Sequence, residues 1–373
     1  MVIPKTDAAV DRWHMRAALG LASRGLGQVA PNPSVGCVIV RDGRVVGRGH
    51  TQPGGRPHAE TEALAEAGGL AHGATAYVTL EPCSHHGKTP PCAQALVVAG
   101  IARVVVAITD PDPRVSGQGI AHLRAAGIAV TEGVCEAEAR ELNEGFLRRV
   151  TDGRPMVTLK LATSLDGMIG AFGGDSQWIT GEEARRFGHI LRARHDVVLT
   201  GIGTVLADDP VLNCRVEGLA HLSPIRVVVD SALRTPMDSQ LVRTAKTIPL
   251  WLVTTAQAAR SHGERYEKVG VEILPVPGAH GGVDIHAALR LLAARGVTRV
   301  LAESGRAVAG SLLRGDLVDR VAWFRAPAVI GGDGLTAVES LGIVQVSTMP
   351  RFAAAGEVRL GQDVLETYRR STY

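Results

Sequence analysis

The sequence predicts two α/β domains in tandem. Three observations carry this expectation. At 373 residues the chain is longer than one hydrophobic core normally serves. Along both halves, short apolar runs of strand character alternate with stretches whose apolar residues recur at helical spacing, as when helices cover a largely parallel sheet. Between the halves, Thr151-Asp152-Gly153-Arg154-Pro155 is rich in turn formers. We therefore expect domains at 1–150 and 151–373.

Composition narrows the function classes. Apolar residues make up 45% and charged residues 21%, as in ordinary soluble globular proteins. Forty Lys+Arg against 37 Asp+Glu leave a formal charge of +3, which argues for no nucleic-acid partner. Thirteen aromatic residues also make a poor base-stacking platform. Met1–Trp13 lacks the apolar core of a signal peptide. The most apolar run, Ala95–Ile108, is interrupted by Gly100 and Arg103 and is too short to span a bilayer. The five cysteines are an odd number, so Cys37, Cys135 and Cys214 read as core thiols in a reducing compartment, the cytoplasm.

In the first half, Asp11–Ser23 reads as an opening helix. Val35–Val40 and Arg44–Gly49 flank Asp42-Gly43, a two-strand hairpin signal. His58–Ala67 has helical composition and places His58 and Glu60 in its first turn. Ala76–Leu80 is a strand that delivers Glu81-Pro82-Cys83, and Pro90-Pro91-Cys92 opens the helix Cys92–Ala99. Helix N-termini favour a thiolate over a thiol. Arg103–Ile108 and Ile128–Glu132 complete the strands, and Glu136–Val150 reads as one amphipathic helix.

His58, Cys83 and Cys92 are a tetrahedral zinc set with the fourth position left for water. His-x-Glu followed by a Pro-Cys pair is the signature of zinc-dependent nucleobase deaminases. That signature closes with Cys-x-x-Cys, whereas eight residues separate Cys83 from Cys92 here. Zinc acidifies water at such a site. Ammonia leaves poorly unless protonated, so one carboxylate must carry the water proton to the nitrogen, and Glu60 is placed for that. The competing reading is a structural zinc site, with His85 or His86 as fourth ligand.

Three stretches then resemble the deaminase half of the bifunctional riboflavin-biosynthesis deaminase–reductases: Pro31-Asn32-Pro33-Ser34-Val35-Gly36, His58-Ala59-Glu60, and the run Glu81–Cys92 with its long inter-cysteine loop. The resemblance implies a cytidine-deaminase-like three-layer domain in which Asn32, His50, His85 and Lys88 hold the substrate. Asp112 stands where several relatives are expected to carry asparagine.

In the second half, strands are expected at Met156–Ala162, Val197–Thr200, Ile225–Asp230, Leu250–Val253, Val300–Glu303 and Val321–Arg325, and helices at Gly181–Arg194, Ile285–Ala294 and Val308–Arg314. Gly201-Ile202-Gly203 follows a strand but lacks a third glycine, and Ala207-Asp208-Asp209-Pro210 is expected to break any helix. This rejects a standard dinucleotide fingerprint. Glu303-Ser304-Gly305-Arg306 ends a strand in a small-residue turn able to cradle a phosphate.

Lys160–Gly167, Ser176–Gly181, Gly203–Pro210 and Arg215 resemble the reductase half of the same family. They imply a dihydrofolate-reductase-like domain that uses NADPH. Carried over by motif, Ala162, Trp178, Thr204, Asp208, Ser231 and Gly305 contact the cofactor, and Ser176, Arg192, Leu212, Arg215 and Glu303 hold the substrate. Guanidinium forks at Arg192 and Arg215 suit a sugar phosphate, Glu303 suits ring amines, and Lys160 is a candidate for protonation or orientation. Ser304 stands where the family usually has glycine.

The implied activity is zinc-dependent deamination of a phosphoribosylaminopyrimidine, followed by NADPH-dependent reduction of its ribosyl chain. The partners are small phosphorylated pyrimidines, with no nucleic acid and no membrane, in a homo-oligomer. The alternative is a nucleobase or tRNA deaminase carrying a non-catalytic C-terminal module.

Overall fold

In the computed structural model, which describes residues 7–84, 90–112, 116–279 and 281–371, the chain divides into two units, Met1–Gly153 and Arg154–Tyr373. The first opens with α1 (Asp7–Ala22), an alanine-rich helix that buries Asp11, Met15, Ala18 and Ala22 on one side. Then comes the hairpin β1 (Gly36–Arg41) and β2 (Arg44–His50). Asp42 and Gly43 both take positive φ, as the tight two-residue turn requires. With β3 (Thr75–Val78), β4 (Arg103–Val106) and β5 (Ala129–Glu132) the sheet order is β2-β1-β3-β4-β5. β1 runs antiparallel to both neighbours, while β3, β4 and β5 are parallel.

Helices α2 (Ala59–Ala67), α3 (Cys92–Val98) and α4 (Gln118–Ala125) follow the strands. Two glycines show how the layers form. A Cβ on Gly36 would lie 1.9 Å from the Ala18 carbonyl oxygen in α1, and one on Gly49 would lie 2.1 Å from that of Ala59 in α2. Gly36 pairs with His50, and Gly49 with Cys37. Cross-strand partners share a face and successive residues alternate, so α1 and α2 cover opposite faces of the sheet. This is the expected three-layer arrangement. Val38, Ile39, Val78, Leu96, Val104 and Leu123 fill its core.

The single helix expected over Glu136–Val150 is two helices, α5 (Glu136–Leu142) and α6 (Glu144–Thr151). The cause is Asn143 between them. Its buried side chain accepts from the Ser34 amide at 2.9 Å and donates to the Ser34 carbonyl at 3.0 Å. Apolar periodicity continues through this junction, so the break is invisible to it.

Among the described residues the second unit is built on a nine-stranded sheet. Its strands are β6 (Met156–Thr163), β8 (Val197–Gly201), β9 (Ile225–Val229), β10 (Leu250–Thr255), β11 (Glu272–Val276), β14 (Arg299–Ala302), β15 (Arg320–Arg325), β17 (Phe352–Leu360) and β18 (Asp363–Arg370). Two short pairs lie outside it: β7 (Met168–Gly170) with β16 (Leu335–Thr336), and β12 (Gly278–Ala279) with β13 (Gly282–Val283). The order is β11-β10-β9-β8-β14-β6-β15-β18-β17, parallel from β11 to β15 and antiparallel beyond. Every residue of β8 and β14 is buried, as strands covered on both faces must be.

The helices here are α7 (Glu182–Ala193), α8 (Ile202–Asp208), α9 (Gln240–Arg243), α10 (Ala256–Glu267), α11 (Ile285–Ala294) and α12 (Arg306–Arg314). Thr255 and Asp284 cap α10 and α11 by side-chain hydrogen bonds. α8 corrects the expectation of no helix before Pro210. Two turns fit before Asp209, at φ 38°, ends them. Asp319 anchors the start of β6, taking both Arg154 nitrogens at 2.7 and 2.8 Å and the Val157 amide at 2.9 Å.

Candidate active sites

The first site lies where three elements end. His58 is the N-cap of α2 in extended conformation, Cys83 follows β3, and Cys92 is the first residue of α3. His58 Nδ1 lies 3.3 Å from Cys92 Sγ and 3.7 Å from Cys83 Sγ. All three ligand atoms fall within 4.8 Å of one another. Tetrahedral zinc bonds of about 2.0–2.3 Å put ligand atoms roughly 3.5 Å apart, so the donor set fits the metal in both chemistry and spacing. Among the described residues no fourth His, Cys, Asp or Glu joins the group. His85, His86 and Lys88 lie outside the described residues.

The electrostatics are those of a thiolate site. A hydrogen bond from Cys92, together with His58, holds the Cys83 thiol at about 4, and the same bond plus burial pushes Cys92 up. The Cys92 amide also donates to Cys83 Sγ at 3.3 Å. Glu60, 3% exposed in the first turn of α2, is raised to about 7, chiefly by burial and then by the Cys83 charge. A carboxyl poised there can both take and return a proton near neutrality. Asn32 is half-buried, its side chain packed so closely on Gly55 that a Cβ there would sit 1.9 Å from Asn32 Nδ2. His50 ends β2, half-buried, its pKa lowered by burial and by Arg24.

The second site gathers at the carboxyl ends of the parallel strands. Glu303 follows β14, and its carboxylate takes Arg192 Nε at 2.6 Å and Arg192 Nη2 at 2.9 Å. Arg192 Nη1 donates to the Asn213 carbonyl at 2.9 Å, and Lys160 Nζ lies 3.8 Å from Glu303. Burial alone would push the Glu303 carboxyl up, but the Arg192 charge and fork, with Lys160, hold it at about 2. Burial lowers the Lys160 pKa. The fork expected to face a phosphate is thus committed to Glu303, because a buried carboxylate needs that partner. Leu212 is buried at φ 55° beside this network, and Arg215 is exposed.

Of the residues expected at the cofactor, Thr204 on α8 and Gly305 at the N-cap of α12 meet directly: the Gly305 amide donates to Thr204 Oγ1 at 3.1 Å. Asp208 ends α8, its pKa raised by burial against a hydrogen bond from Ser176. Ser231 follows β9, and its carbonyl accepts from Thr255 Oγ1. Ala162 pairs in register with Phe324. Trp178 is 66% exposed with the Arg185 guanidinium 4.8 Å from its ring.

Four buried oxygens, on Thr200, Asp230, Thr254 and Ser304, lack hydrogen-bond partners among the described residues, and all sit at the carboxyl ends of β8, β9, β10 and β14. Nucleotides lie along that edge in open α/β sheets, so polar groups concentrated there fit a dinucleotide. Of this row the sequence pointed only to Ser304, in the turn Glu303-Ser304-Gly305-Arg306; for the other three, polar residues closing apolar strands were the available signal. Sequence reasoning missed His189, which shares the Asn213 carbonyl with Arg192. Spacing of three on one helix would have paired His189 with Arg192.

Two family models match the chain: the cytidine and deoxycytidylate deaminase zinc-binding region over residues 8–108, and the RibD C-terminal domain over residues 155–365. The riboflavin biosynthesis protein RibD of Escherichia coli is 42% identical over 366 residues, covering 95% of this chain and 98% of that protein. That of Aquifex aeolicus is 39% identical, covering 97% and 99%. Among solved structures, Acinetobacter baumannii RibD superposes with a TM-score of 0.89 at 36% identity, covering 98% of this chain and 100% of that one. The Thermotoga maritima diaminohydroxyphosphoribosylaminopyrimidine deaminase/5-amino-6-(5-phosphoribosylamino)uracil reductase does so with a TM-score of 0.87 at 35% identity, with the same coverage. With a zinc-type His/Cys/Cys cluster in one unit and a reductase fold in the other, the chain belongs to the RibD family, the zinc- and NADPH-dependent bifunctional deaminase–reductases of riboflavin biosynthesis.

Proposed function

We propose that residues 1–150 deaminate 2,5-diamino-6-ribosylamino-4(3H)-pyrimidinone 5′-phosphate, and that residues 151–373 reduce the ribosyl chain of the product to ribityl. The name of the Thermotoga relative supports this pair of substrates. His58, Cys83 and Cys92 hold zinc, and Glu60 moves a proton from water to the departing nitrogen. Asn32, His50, His85 and Lys88 seat the substrate. Bound zinc supplies the acidity that makes water a nucleophile near neutral pH, and bound NADPH supplies the reducing equivalent.

In the reductase, Ala162, Trp178, Thr204, Asp208, Ser231 and Gly305 line the cofactor. Ser176, Arg192, Leu212, Arg215 and Glu303 orient the substrate. Glu303 remains an anion able to accept from ring amines while Arg192 fixes its direction, and exposed Arg215 faces the phosphate. The protein's contribution to this half is alignment and charge complementarity. We further assign the chain to the cytoplasm, as a homo-oligomer; no described helix is long and apolar enough to cross a membrane. Light scattering on the purified protein tests the assembly.

The observation that carries the proposal is the convergence of three ligand atoms within 4.8 Å beside a buried glutamate poised at about 7. Metal analysis coupled to a two-step product assay tests it. One zinc per chain, ammonia release and NADPH-dependent formation of the ribityl product are expected. Ammonia release by metal-free protein would sink it.

A further inference from the structure

Glu81 is a buried carboxylate, 3% exposed, two residues before Cys83. Its Oε2 accepts from the backbone amides of Asp110 at 3.2 Å and Gly117 at 2.9 Å. Its Oε1 accepts from those of Gly119 at 2.9 Å and Ile120 at 3.2 Å. One side chain thus satisfies four amides on both sides of one loop, including amides at the start of α4. Burying a charge is costly unless dipoles replace water, and here four backbone dipoles do so.

The same corner is closed from a second direction. A Cβ on Gly119 would lie 2.0 Å from the Pro82 carbonyl oxygen, so the first turn of α4 rests directly on the residue preceding Cys83. The cysteine itself is held separately: its carbonyl accepts from Ala93 at 3.1 Å and its sulfur from the Cys92 amide at 3.3 Å. Removing the Glu81 charge therefore loosens residues 110–112 and 116–120, not the ligand set. That segment carries two buried acids, Asp110 and Asp112, 7% and 9% exposed, with the Asp112 amide bonded to Asp110 Oδ1 at 2.9 Å.

We propose that Glu81 is a positioning residue of the deaminase: its carboxylate straps residues 110–112 and 116–120 against the cysteine corner, so that this segment holds the place it takes beside the bound pyrimidine. The substrate part rests on the deaminase function given above; the strap rests on geometry alone. Glu81→Gln preserves shape, but its NH₂ faces two N–H donors and the charge is gone. Glu81→Asp keeps the charge and draws it back by one methylene.

The test uses the full-length zinc enzyme. In Glu81→Gln the KM for the diaminopyrimidine phosphate rises about tenfold or more and deaminase kcat changes less than about threefold. Zinc content and NADPH-dependent reduction stay at wild-type levels. Glu81→Asp gives a smaller rise in KM and carries the same readouts should the glutamine variant not fold. Hydrogen exchange speeds at residues 110–112 and 116–120 while the Cys92–Val98 helix keeps its protection. A role in stability alone would lower Tm and leave KM unchanged, which overturns the proposal. Loss of zinc, or a fall in kcat at constant KM, also overturns it by placing the action at the metal. Unchanged exchange refutes the strap itself, even if the wild-type protein proves inactive on this pyrimidine and the function fails separately.

Discussion

Glu60 and Glu303 are both buried glutamates, yet their surroundings drive them apart. Beside Glu60 stands another negative charge, Cys83, so burial prevails and the carboxyl sits at about 7. Around Glu303 stand Arg192 and Lys160, and cations outweigh burial to hold it at about 2. The first can exchange a proton in working conditions; the second is a fixed anion. Glu60→Gln should cut deamination by about a hundredfold or more while zinc content and NADPH-dependent reduction are kept; ammonia release and metal analysis check both. His195 is a third buried titratable group. Its Nδ1–H donates to the Leu191 carbonyl at 2.7 Å and its Nε2 accepts from Thr158 at 3.0 Å. Burial, then Arg299, depress its pKa to about 3. Between 6.5 and 3 the unfolded chain binds the extra proton, so this contribution is complete above pH 6.5 and is lost as pH falls toward 3. Urea unfolding should show a shallower loss of stability between pH 6.5 and 4 in His195→Gln than in wild type.

Elements with one strong physical cause were legible, and those with competing causes were not. The hairpin at Asp42-Gly43 was readable because few residues tolerate its backbone. The buried parallel strands were readable as apolar runs. The edge hairpin β17–β18 was not, because β17 is largely exposed and its Ala/Gly composition shows no alternation. α5 and α6 were merged because the reason for their separation is a polar contact with Ser34, 109 positions away in sequence. Asn143→Ala removes both hydrogen bonds and leaves the Ser34 backbone unsatisfied, a cost of about 1–3 kcal/mol. Urea denaturation should register that loss, and deamination should weaken with it because Ser34 belongs to the Asn32 loop.

At the scale of the molecule, each unit has its own core: Val38, Ile39 and Val104 in the first, Val197, Leu199 and Val300 in the second. The three side chains proposed to hold zinc all belong to the first. Removing zinc with a chelator should therefore abolish deamination and leave NADPH-dependent reduction of the deaminated substrate intact, with zinc restoring the first activity. Loss of both activities together would mean that the reductase depends on the metal-bearing unit.

The sequence by itself singled out His58, Cys83 and Cys92, which the fold brings together, Glu60 next to them in the chain, and the two-unit α/β plan. These follow from residue types at short spacing and from the period of the apolar pattern, both local properties. Only the tertiary structure decided that Arg192 faces Glu303, that Glu81 gathers four amides from a distant segment, and that unpaired oxygens line one edge of the sheet. Such contacts join residues far apart in the chain, and the need to satisfy a buried charge or amide cannot be assigned to a partner until folding has brought the candidates together.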